Sequence, residues 1–312
     1  MTPEAWLSRH SAMPDPDAAK RLREASESGT KLGVVLLAHD AATTIGRHLL
    51  LLRHGWPGGT APWTEILVAD LGSTDSTLEI ARSHGAEILE DPDRATRAGI
   101  PALGDGLAQA LAKTESDILV VVPASLVRIE IEAVAALMAA MLDHPAARIA
   151  MGAESAQGCE ISRYSLRPLL SALCPHLSVL SDPATPFLAI RPRDVKTLPL
   201  ARTNGYEAAL AVDCWHRYGL ESLLQVLTGP LYWSEAADPR QNSTHAFHAQ
   251  LAALEALRRA GRIQIPGEFG HILPTPVEWT QEGPRLMSRL EVFDWKEDET
   301  TLKLKAWFQE DS

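Results

Sequence analysis

The chain has 312 residues, 46% of them hydrophobic and 22% charged, which is the balance of an ordinary globular protein. Its 29 lysines and arginines are outnumbered by 40 aspartates and glutamates, and the net charge is −11 at pH 7. No segment concentrates basic residues, so we expect no nucleic-acid partner. Uncharged apolar runs reach only ten residues, whereas a bilayer span needs about 20. Three cysteines without a C-x-x-C pair are typical of reduced thiols. We expect a soluble, cytoplasmic protein with no membrane contact.

The first half of the chain alternates strands with helices. Apolar runs at 32–38, 65–70 and 117–122 predict strands that are buried on both faces. Helical patterns lie between them, over 45–54, 78–85 and 100–113. Repeated βα units of this kind form a doubly wound parallel sheet, whose ligands gather at the carboxyl ends of the strands. The predicted fold class is therefore α/β, with Asp70 and residues 123–125 at the same edge of the sheet.

The second half has a less regular alternation. Strands are predicted at 149–153, 187–190 and 223–227. Helices are predicted at 165–174, 205–218 and 244–260. The tail, 290–308, contains an alternating segment that we interpret as an edge strand or a partner-binding arm.

Four segments, 34–46, 70–77, 117–126 and 167–227, resemble the retaining GT-A glycosyltransferases of the glucosyl-3-phosphoglycerate synthase family. The resemblance implies a GT-A fold, which is a Rossmann-like, mostly parallel sheet with a smaller α+β acceptor side. It also implies a nucleotide-sugar donor, a divalent metal, retention of the anomeric configuration and a homodimer. The expected division of the chain is a leader (1–30), a nucleotide-sugar-binding half (31–150), an acceptor-side half (151–262) and a C-terminal arm (263–312).

On the donor side, Asp70 and the residues 71–73 match the turn that holds the donor base in the family. A carboxylate at a strand end can accept a hydrogen bond from a base imide N–H, and Gly72 lets the backbone approach the nucleoside. The alternative is that Asp70 and Asp75 cap the following helix. Asp40 either keeps a polar contact to the nucleoside or is a plain loop carboxylate. The residues predicted to bind the nucleotide sugar are Ala38, His39, Asp40, Asp70, Leu71, Gly72, Ser73, Gly104, Pro123, Ala124 and Ser125.

On the acceptor side, the resemblance aligns Glu207 with a catalytic glutamate, which would orient an acceptor proton or act as a base. The alternative is a solvated glutamate in the first turn of a helix, where a negative charge is favourable. Glu160, Ser162 and Tyr206 are the predicted acceptor contacts. Glu160 replaces an arginine that clasps the phosphate of phosphoglycerate in the family, so we expect a different acceptor. An exposed glutamate without a role is the alternative for Glu160.

The expected metal site departs from the family pattern. Pro123-Ala124-Ser125 stands where the resemblance implies an Asp-x-Asp motif, and one neutral hydroxyl does not hold a hard divalent cation. Leu103 and Trp233 stand where the family has a lysine and a histidine. We therefore expect no metal cofactor, and we expect helix N-termini or arginines to hold the donor diphosphate. The candidate arginines are Arg94, Arg97 and Arg163.

These observations leave two functions open. The first is a metal-independent retaining glycosyltransferase that uses a UDP- or GDP-sugar and a small acceptor other than phosphoglycerate, either zwitterionic or a thiol. The S-glycosylation enzymes of lincosamide antibiotic assembly are a precedent, and a thiolate needs less help from a base because it is a strong nucleophile. The alternative is an inactive GT-A scaffold that acts through protein contacts. We favour the enzyme because Asp70, Gly72, Ser73 and Glu207 are retained.

Overall fold

The computed structural model describes residues 3–57, 59–89, 103–154, 159–202, 204–233, 239–264, 277–280 and 283–286. A sheet of eight strands runs through them. The strands of the chain are β1 (Ser11–Ala12), β2 (Leu32–Ala38), β3 (Glu65–Asp70), β4 (Glu87–Leu89), β5 (Ile118–Pro123), β6 (Leu126–Arg128), β7 (Ile149–Ala153), β8 (Leu188–Ile190), β9 (Leu223–Leu227), β10 (Tyr232–Trp233), β11 (Val277–Thr280) and β12 (Gly283–Leu286).

Helices cover both faces of this sheet. The α-helices are α1 (Pro3–His10), α2 (Ala18–Glu27), α3 (Ile45–His54), α4 (Thr77–Ser83), α5 (Leu103–Lys113), α6 (Ile131–Asp143), α7 (Arg167–Leu173), α8 (Pro192–Val195), α9 (Tyr206–Tyr218) and α10 (Pro239–Arg259). A π-helical segment at Ser162–Leu166 leads into α7, and short 3₁₀ segments lie at Pro175–Val179 and Leu220–Ser222. No helix in these ranges is long and apolar enough to cross a membrane.

The eight-stranded sheet is mostly parallel. Its order is β1-β9-β7-β8-β5-β2-β3-β4. Every neighbouring pair is parallel except those of β8, which runs antiparallel to both β5 and β7. Two further antiparallel pairs, β6 with β10 and β11 with β12, lie outside this sheet. The predicted α/β fold with a mostly parallel sheet is confirmed.

The central strands explain why the fold could be predicted from apolar runs. Every residue of β2 and β5 is buried. Alternate side chains enter two core layers: Val34 and Leu36 pack in the layer that contains α3 and α6, and Val35 and Leu37 pack in the layer that contains α5 and α9. Because successive side chains of a strand point to opposite faces, a strand covered on both faces must be apolar throughout.

The N-terminal residues pack at one edge of the sheet. β1 pairs with β9, with Ser11 opposite Gln225, and the indole N–H of Trp6 donates to the carbonyl of Leu220 at 3.0 Å. The segment predicted as a leader therefore contains two helices and an edge strand of the sheet. The predicted tail strand at 290–308 lies outside the described residues.

The start of α9 is held against α10 by a glycine. Gly205 has a φ of +97°, and a Cβ atom added to it would lie 2.4 Å from the Cα of Ala249. Ala208, Ala249 and Ala253 form a small buried cluster beside this contact. Small residues let the two helices approach closely, and the approach fixes the first turn of α9.

Gly205→Ala is expected to lower the free energy of unfolding by about 3 kcal/mol or more, because the new methyl group meets backbone atoms and φ is positive. Gly29→Ala is a matched control, since Gly29 has a φ of +96° but nothing within 4 Å of an added Cβ. That change should cost only the conformational strain, about 1 kcal/mol. Urea denaturation measures both losses, and equal losses would contradict the close packing of α9 on α10.

Candidate functional site

Three strand ends meet at one edge of the sheet. In the parallel register Ala38 lies opposite Asp70, and Leu37 lies opposite Pro123. The N–H of Leu71 donates to the carbonyl of Ala38 at 2.8 Å, and the N–H of Ala124 donates to the carbonyl of Leu37 at 2.8 Å. The structure therefore brings together the predicted donor residues that follow β2, β3 and β5.

The turn after β3 is shaped by its own carboxylate. Asp70 is 6% exposed, and its Oδ2 accepts hydrogen bonds from the backbone N–H groups of Gly72 at 3.0 Å and Ser73 at 3.2 Å. Gly72 has a φ of +88°, a conformation that favours glycine. The Asp70 carboxylate thus holds the turn at residues 71–73.

Asp40 ties the loop after β2 to the same turn. It has a φ of +47°, which is uncommon for a residue with a side chain. Its N–H donates to Ser73 Oγ at 3.0 Å, and its Oδ1 accepts the N–H of Thr74 at 2.7 Å. His39 lies beside it, with 3.7 Å between His39 Nε2 and Asp40 Oδ2. Asp40 is therefore a structural bridge between two loops of the edge.

Asp75 lies at the beginning of α4, where the sequence predicts a helix cap. Its Oδ1 accepts the N–H of Thr77 at 2.9 Å, and its Oδ2 accepts the N–H of Ala42 at 3.0 Å. Burial raises the pKa of this carboxyl, but the hydrogen bonds from Thr77 and Ala42 outweigh it, so the pKa is lowered. Asp75 stabilises the start of α4 and the loop after β2 together.

Residues 123–125 offer little to a metal ion. Pro123 and Ala124 are buried and Ser125 is half-buried, and the carbonyl of Ala124 accepts a hydrogen bond from Thr44 Oγ1 at 2.5 Å. Within the ranges that the structure describes, no group of three or more His, Cys, Asp and Glu side chains is arranged to hold a metal ion. The side chains at this edge do not by themselves fit a divalent-metal site.

Glu207 is buried in the first turn of α9, so it is not the solvated glutamate of the alternative interpretation. It is 4% exposed. Burial raises the pKa of its carboxyl to about 8, helped by the negative charge of Asp182 and opposed by the backbone N–H groups of Glu207 and Gly205. The free protein therefore holds Glu207 in its neutral form at pH 7.

The other predicted acceptor residues do not share one environment. Ser162 is fully buried; its hydroxyl donates to Asp182 and accepts the N–H of Ala184 at 3.0 Å. Tyr206 is also buried, and its hydroxyl donates to the carbonyl of Pro186 at 3.4 Å. Glu160 is exposed. Only Glu160 is therefore open to solvent, whereas Ser162 and Tyr206 support the interior.

Asp182 is a buried carboxyl that the sequence alone did not single out. It is 4% exposed, and burial raises its pKa despite hydrogen bonds from Ser162 and Cys159. The same burial, together with the charge of Asp182, raises the pKa of the Cys159 thiol to about 12. Cys159 is therefore a thiol rather than a thiolate at neutral pH. The sequence carried no signal for this group, since Cys159 and Asp182 are 23 residues apart.

The start of α5 lies against the segment that precedes α9. A Cβ atom on Gly104 would lie 1.7 Å from the carbonyl oxygen of Ala201, and the N–H of Asp105 donates to the carbonyl of Arg202 at 3.0 Å. Arg202 Nε and Nη2 each lie 2.9 Å from an oxygen of the Asp105 carboxylate. Gly104, predicted at the donor site, is thus a point of close backbone contact.

Of the three arginines proposed for the diphosphate, Arg94 and Arg97 lie outside the described residues. The Arg163 guanidinium lies over the ring of Tyr164, with its central carbon 5.6 Å from the ring centre. Arg202 was missed at the sequence level, because its partner Asp105 is 97 residues away.

The buried Glu207 predicts a pH-dependent stability. The folded pKa of about 8 exceeds the ordinary value of 4.5, so the folded state binds a proton that the unfolded state releases, and stability falls as pH rises from about 4.5 to 8. Glu207→Gln should remove this fall, which is about 4 kcal/mol at most between pH 5 and 8. Chemical denaturation at several pH values measures it. Parallel stability profiles for the two proteins would contradict a buried, neutral Glu207.

Comparisons with known proteins place this site in context. No protein-family model matches the chain. It is 26% identical over 272 residues to a glucosyl-3-phosphoglycerate synthase of Petrotoga mobilis, covering 83% of each chain. It is 28% identical over 242 residues to the enzyme of that name from Mycolicibacterium smegmatis, covering 72% of this chain and 77% of the relative.

Solved structures share the fold. The mannosyl-3-phosphoglycerate synthase of Rubrobacter xylanophilus gives a TM-score of 0.77 at 22% identity, covering 91% of this chain and 94% of that one. The glucosyl-3-phosphoglycerate synthase of Mycobacterium tuberculosis, in complex with Mn²⁺, UDP-glucose and phosphoglyceric acid, gives 0.73 at 23% identity, covering 89% and 94%. The predicted GT-A architecture is confirmed.

These relatives overturn three expectations. The M. tuberculosis enzyme was crystallised with Mn²⁺ and phosphoglyceric acid, so the expectations of a metal-independent reaction, of no metal cofactor and of a different acceptor are wrong. The metal inference failed because it counted only protein side chains, whereas phosphate oxygens of a bound substrate also ligate such ions. The lincosamide comparison finds no support among these relatives.

The alternative of an inactive scaffold is not retained either, because the relatives are enzymes. The nucleotide-sugar edge predicted from the sequence lies on the fold that these enzymes share. The chain is a GT-A glycosyltransferase related in sequence to the glucosyl-3-phosphoglycerate synthases.

Proposed function

We propose that the chain transfers a glucosyl group from UDP-glucose to phosphoglycerate, with retention of the anomeric configuration. The observation that carries the proposal is the edge where β2, β3 and β5 end together, where Asp40 links two loops and Asp70 fixes the turn after β3. Nucleotides bind at such edges of doubly wound sheets. The sequence relatives, which are named for this reaction, support the choice of sugar and acceptor.

The donor nucleoside is proposed to lie on the backbone of residues 71–73. Gly72 presents no side chain there, and its positive φ is held by the hydrogen bond from its N–H to Asp70. A backbone surface fixed in this way is rigid before the ligand arrives, so little ordering is needed on binding. We propose UDP rather than GDP because the structures of the M. tuberculosis enzyme contain UDP or UDP-glucose.

A divalent metal belongs to the proposal because M. tuberculosis glucosyl-3-phosphoglycerate synthase was crystallised with Mn²⁺ or Mg²⁺. When bound, such an ion would neutralise charge on the leaving diphosphate. The side chains described at residues 123–125 do not fit a complete metal site, so we assign no residue of this chain as its ligand.

Glu207 is proposed as the group that receives the proton of the acceptor hydroxyl. Burial is compatible with this role, because a carboxyl whose pKa lies near neutrality combines a usable ionised fraction with high basicity. Its position in the first turn of α9 is fixed by the contact between Gly205 and Ala249. We also propose that the protein is a homodimer, as the family resemblance implies, and that it is cytoplasmic, as its unpaired cysteines indicate.

The proposed reaction is tested by measuring UDP release from UDP-glucose. Release should require 3-phosphoglycerate and Mn²⁺ or Mg²⁺, and EDTA should abolish it. The product, analysed by NMR, should have the α configuration of the donor. Failure to release UDP in the presence of phosphoglycerate and either metal would contradict the proposal, and so would an equal rate with and without the acceptor.

The role of Glu207 predicts the pH dependence of the rate. Because the carboxyl must lose its proton to act as a base, kcat/KM should rise with pH and level off near its pKa of about 8. Glu207→Gln should lower kcat by about 100-fold or more and remove this dependence. Wild-type activity in Glu207→Gln, with its fold intact by circular dichroism, would show that the carboxyl takes no proton.

A further inference from the structure

We propose that Arg202 and Asn204, beside the start of α5, form a binding site for a phosphate group. The inference rests on the proposed function, since it names where that function's phosphorylated ligands are held. The favoured ligand is the diphosphate of the UDP donor, and the phosphate of the acceptor offers the same chemistry.

The position of the site follows from two close contacts of α5. A Cβ on Gly106 would lie 2.7 Å from Leu71 Cδ2 and 3.4 Å from Ala69 Cβ, so the first turn of α5 packs on the end of β3. Two residues earlier, a Cβ on Gly104 would lie 1.7 Å from the carbonyl oxygen of Ala201. The first turn of α5 therefore links the turn at 71–73, where the nucleoside is proposed to lie, to the segment that carries Arg202.

The charge of this segment suits an anion. Arg202 is held by a bidentate ion pair with Asp105, and their side chains are 30% and 10% exposed. The pairing fixes the orientation of the guanidinium, and Arg202 remains accessible to solvent, unlike its partner. α5 has 11 residues, and its N-terminus adds a partial positive charge on the same side. Arginine with a helix N-terminus is a favourable environment for phosphate.

Asn204 is the independent observation that points to a ligand. It is 5% exposed, and neither its Nδ2 nor its Oδ1 has a hydrogen-bond partner in the described part of the chain. Burying an amide without hydrogen-bond partners is unfavourable, and a ligand oxygen that accepts from Nδ2 would offset part of that cost. Asn204 lies two residues after Arg202 and directly before Gly205, the N-cap residue of α9.

Substituting the two members of the Arg202–Asp105 ion pair should change the affinity for UDP in opposite directions. Arg202→Gln should weaken UDP binding by about tenfold or more, because a charged hydrogen-bond donor is lost. Asp105→Asn should instead tighten UDP binding, because it removes the negative charge that offsets Arg202 while keeping an oxygen that accepts from its Nε. A purely structural ion pair would not give opposite signs. Arg202→Lys should recover part of the affinity, and Asn204→Ala should weaken UDP binding.

The matched control is a second arginine–aspartate ion pair, which joins α10 to α9 and has a similar side-chain exposure. Arg259 and Asp213 are 2.7 Å apart, with side chains 28% and 7% exposed, and Asp213 lies seven residues after Tyr206 along α9. Arg259→Gln and Asp213→Asn should leave the affinity for UDP unchanged. This control separates loss of a phosphate contact from a general loss of stability.

Isothermal titration of each variant with uridine, UDP and 3-phosphoglycerate distinguishes the sources of the phosphate. Changed UDP affinity with unchanged uridine affinity assigns the site to the donor diphosphate. Changed affinity for 3-phosphoglycerate alone assigns it to the acceptor phosphate. The proposal is overturned if the affinities for UDP and 3-phosphoglycerate are both unchanged, or if the affinity for uridine falls as much as the affinity for UDP. A chain that binds UDP through Arg202 but does not turn over UDP-glucose would refute the proposed function and leave this site standing.

Discussion

The parallel pairing of β2 with β3 and β5 is the constraint on which the rest of the structure depends. The register places Ala38, Asp70 and Pro123 at one edge, and the buried side chains of the central strands hold that register, since a slip of one residue would exchange the two core layers. The loops at the edge then need only local hydrogen bonds to become a rigid surface. Asp40, Asp70 and Asp75 supply them by accepting backbone N–H groups.

Carboxyl groups take two different roles in this chain. Asp70 and Asp75 accept backbone N–H groups and shape turns, so their charge is used inside the protein. Glu207 is buried, and burial together with the negative charge of Asp182 raises its pKa and keeps it neutral. Burial without a cationic partner raises the pKa, and a carboxyl prepared in this way is suited to exchange a proton near neutral pH. The carboxylates after β2 and β3 therefore make their loops rigid, whereas the carboxyl at the start of α9 is held neutral.

The sequence predicted the parts of the fold that depend on local pattern. The runs at 32–38 and 65–70 coincide with β2 and β3, and 117–122 differs from β5 by one residue at each end. It did not predict that β8 runs antiparallel or that β1 joins β9, because strand direction and edge pairing depend on long-range packing. The sequence singled out Asp70 and Gly72 as candidates, but it did not single out the pair of Arg202 and Asp105, because a contact across 97 residues leaves no trace in spacing. The metal inference was wrong because it considered only protein side chains, and a protein sequence does not show which metal ligands a bound substrate supplies.

The central claim is that the nucleotide of the donor lies across the edge where β2, β3 and β5 end. A crystal structure of the chain with UDP and Mn²⁺ tests it most directly. The account predicts the uracil and ribose on the backbone of residues 71–73, with the diphosphate directed toward the first turn of α5 and a phosphate oxygen within hydrogen-bond distance of Arg202. Nucleotide density at another face of the sheet, with the turn at 71–73 empty, would contradict it.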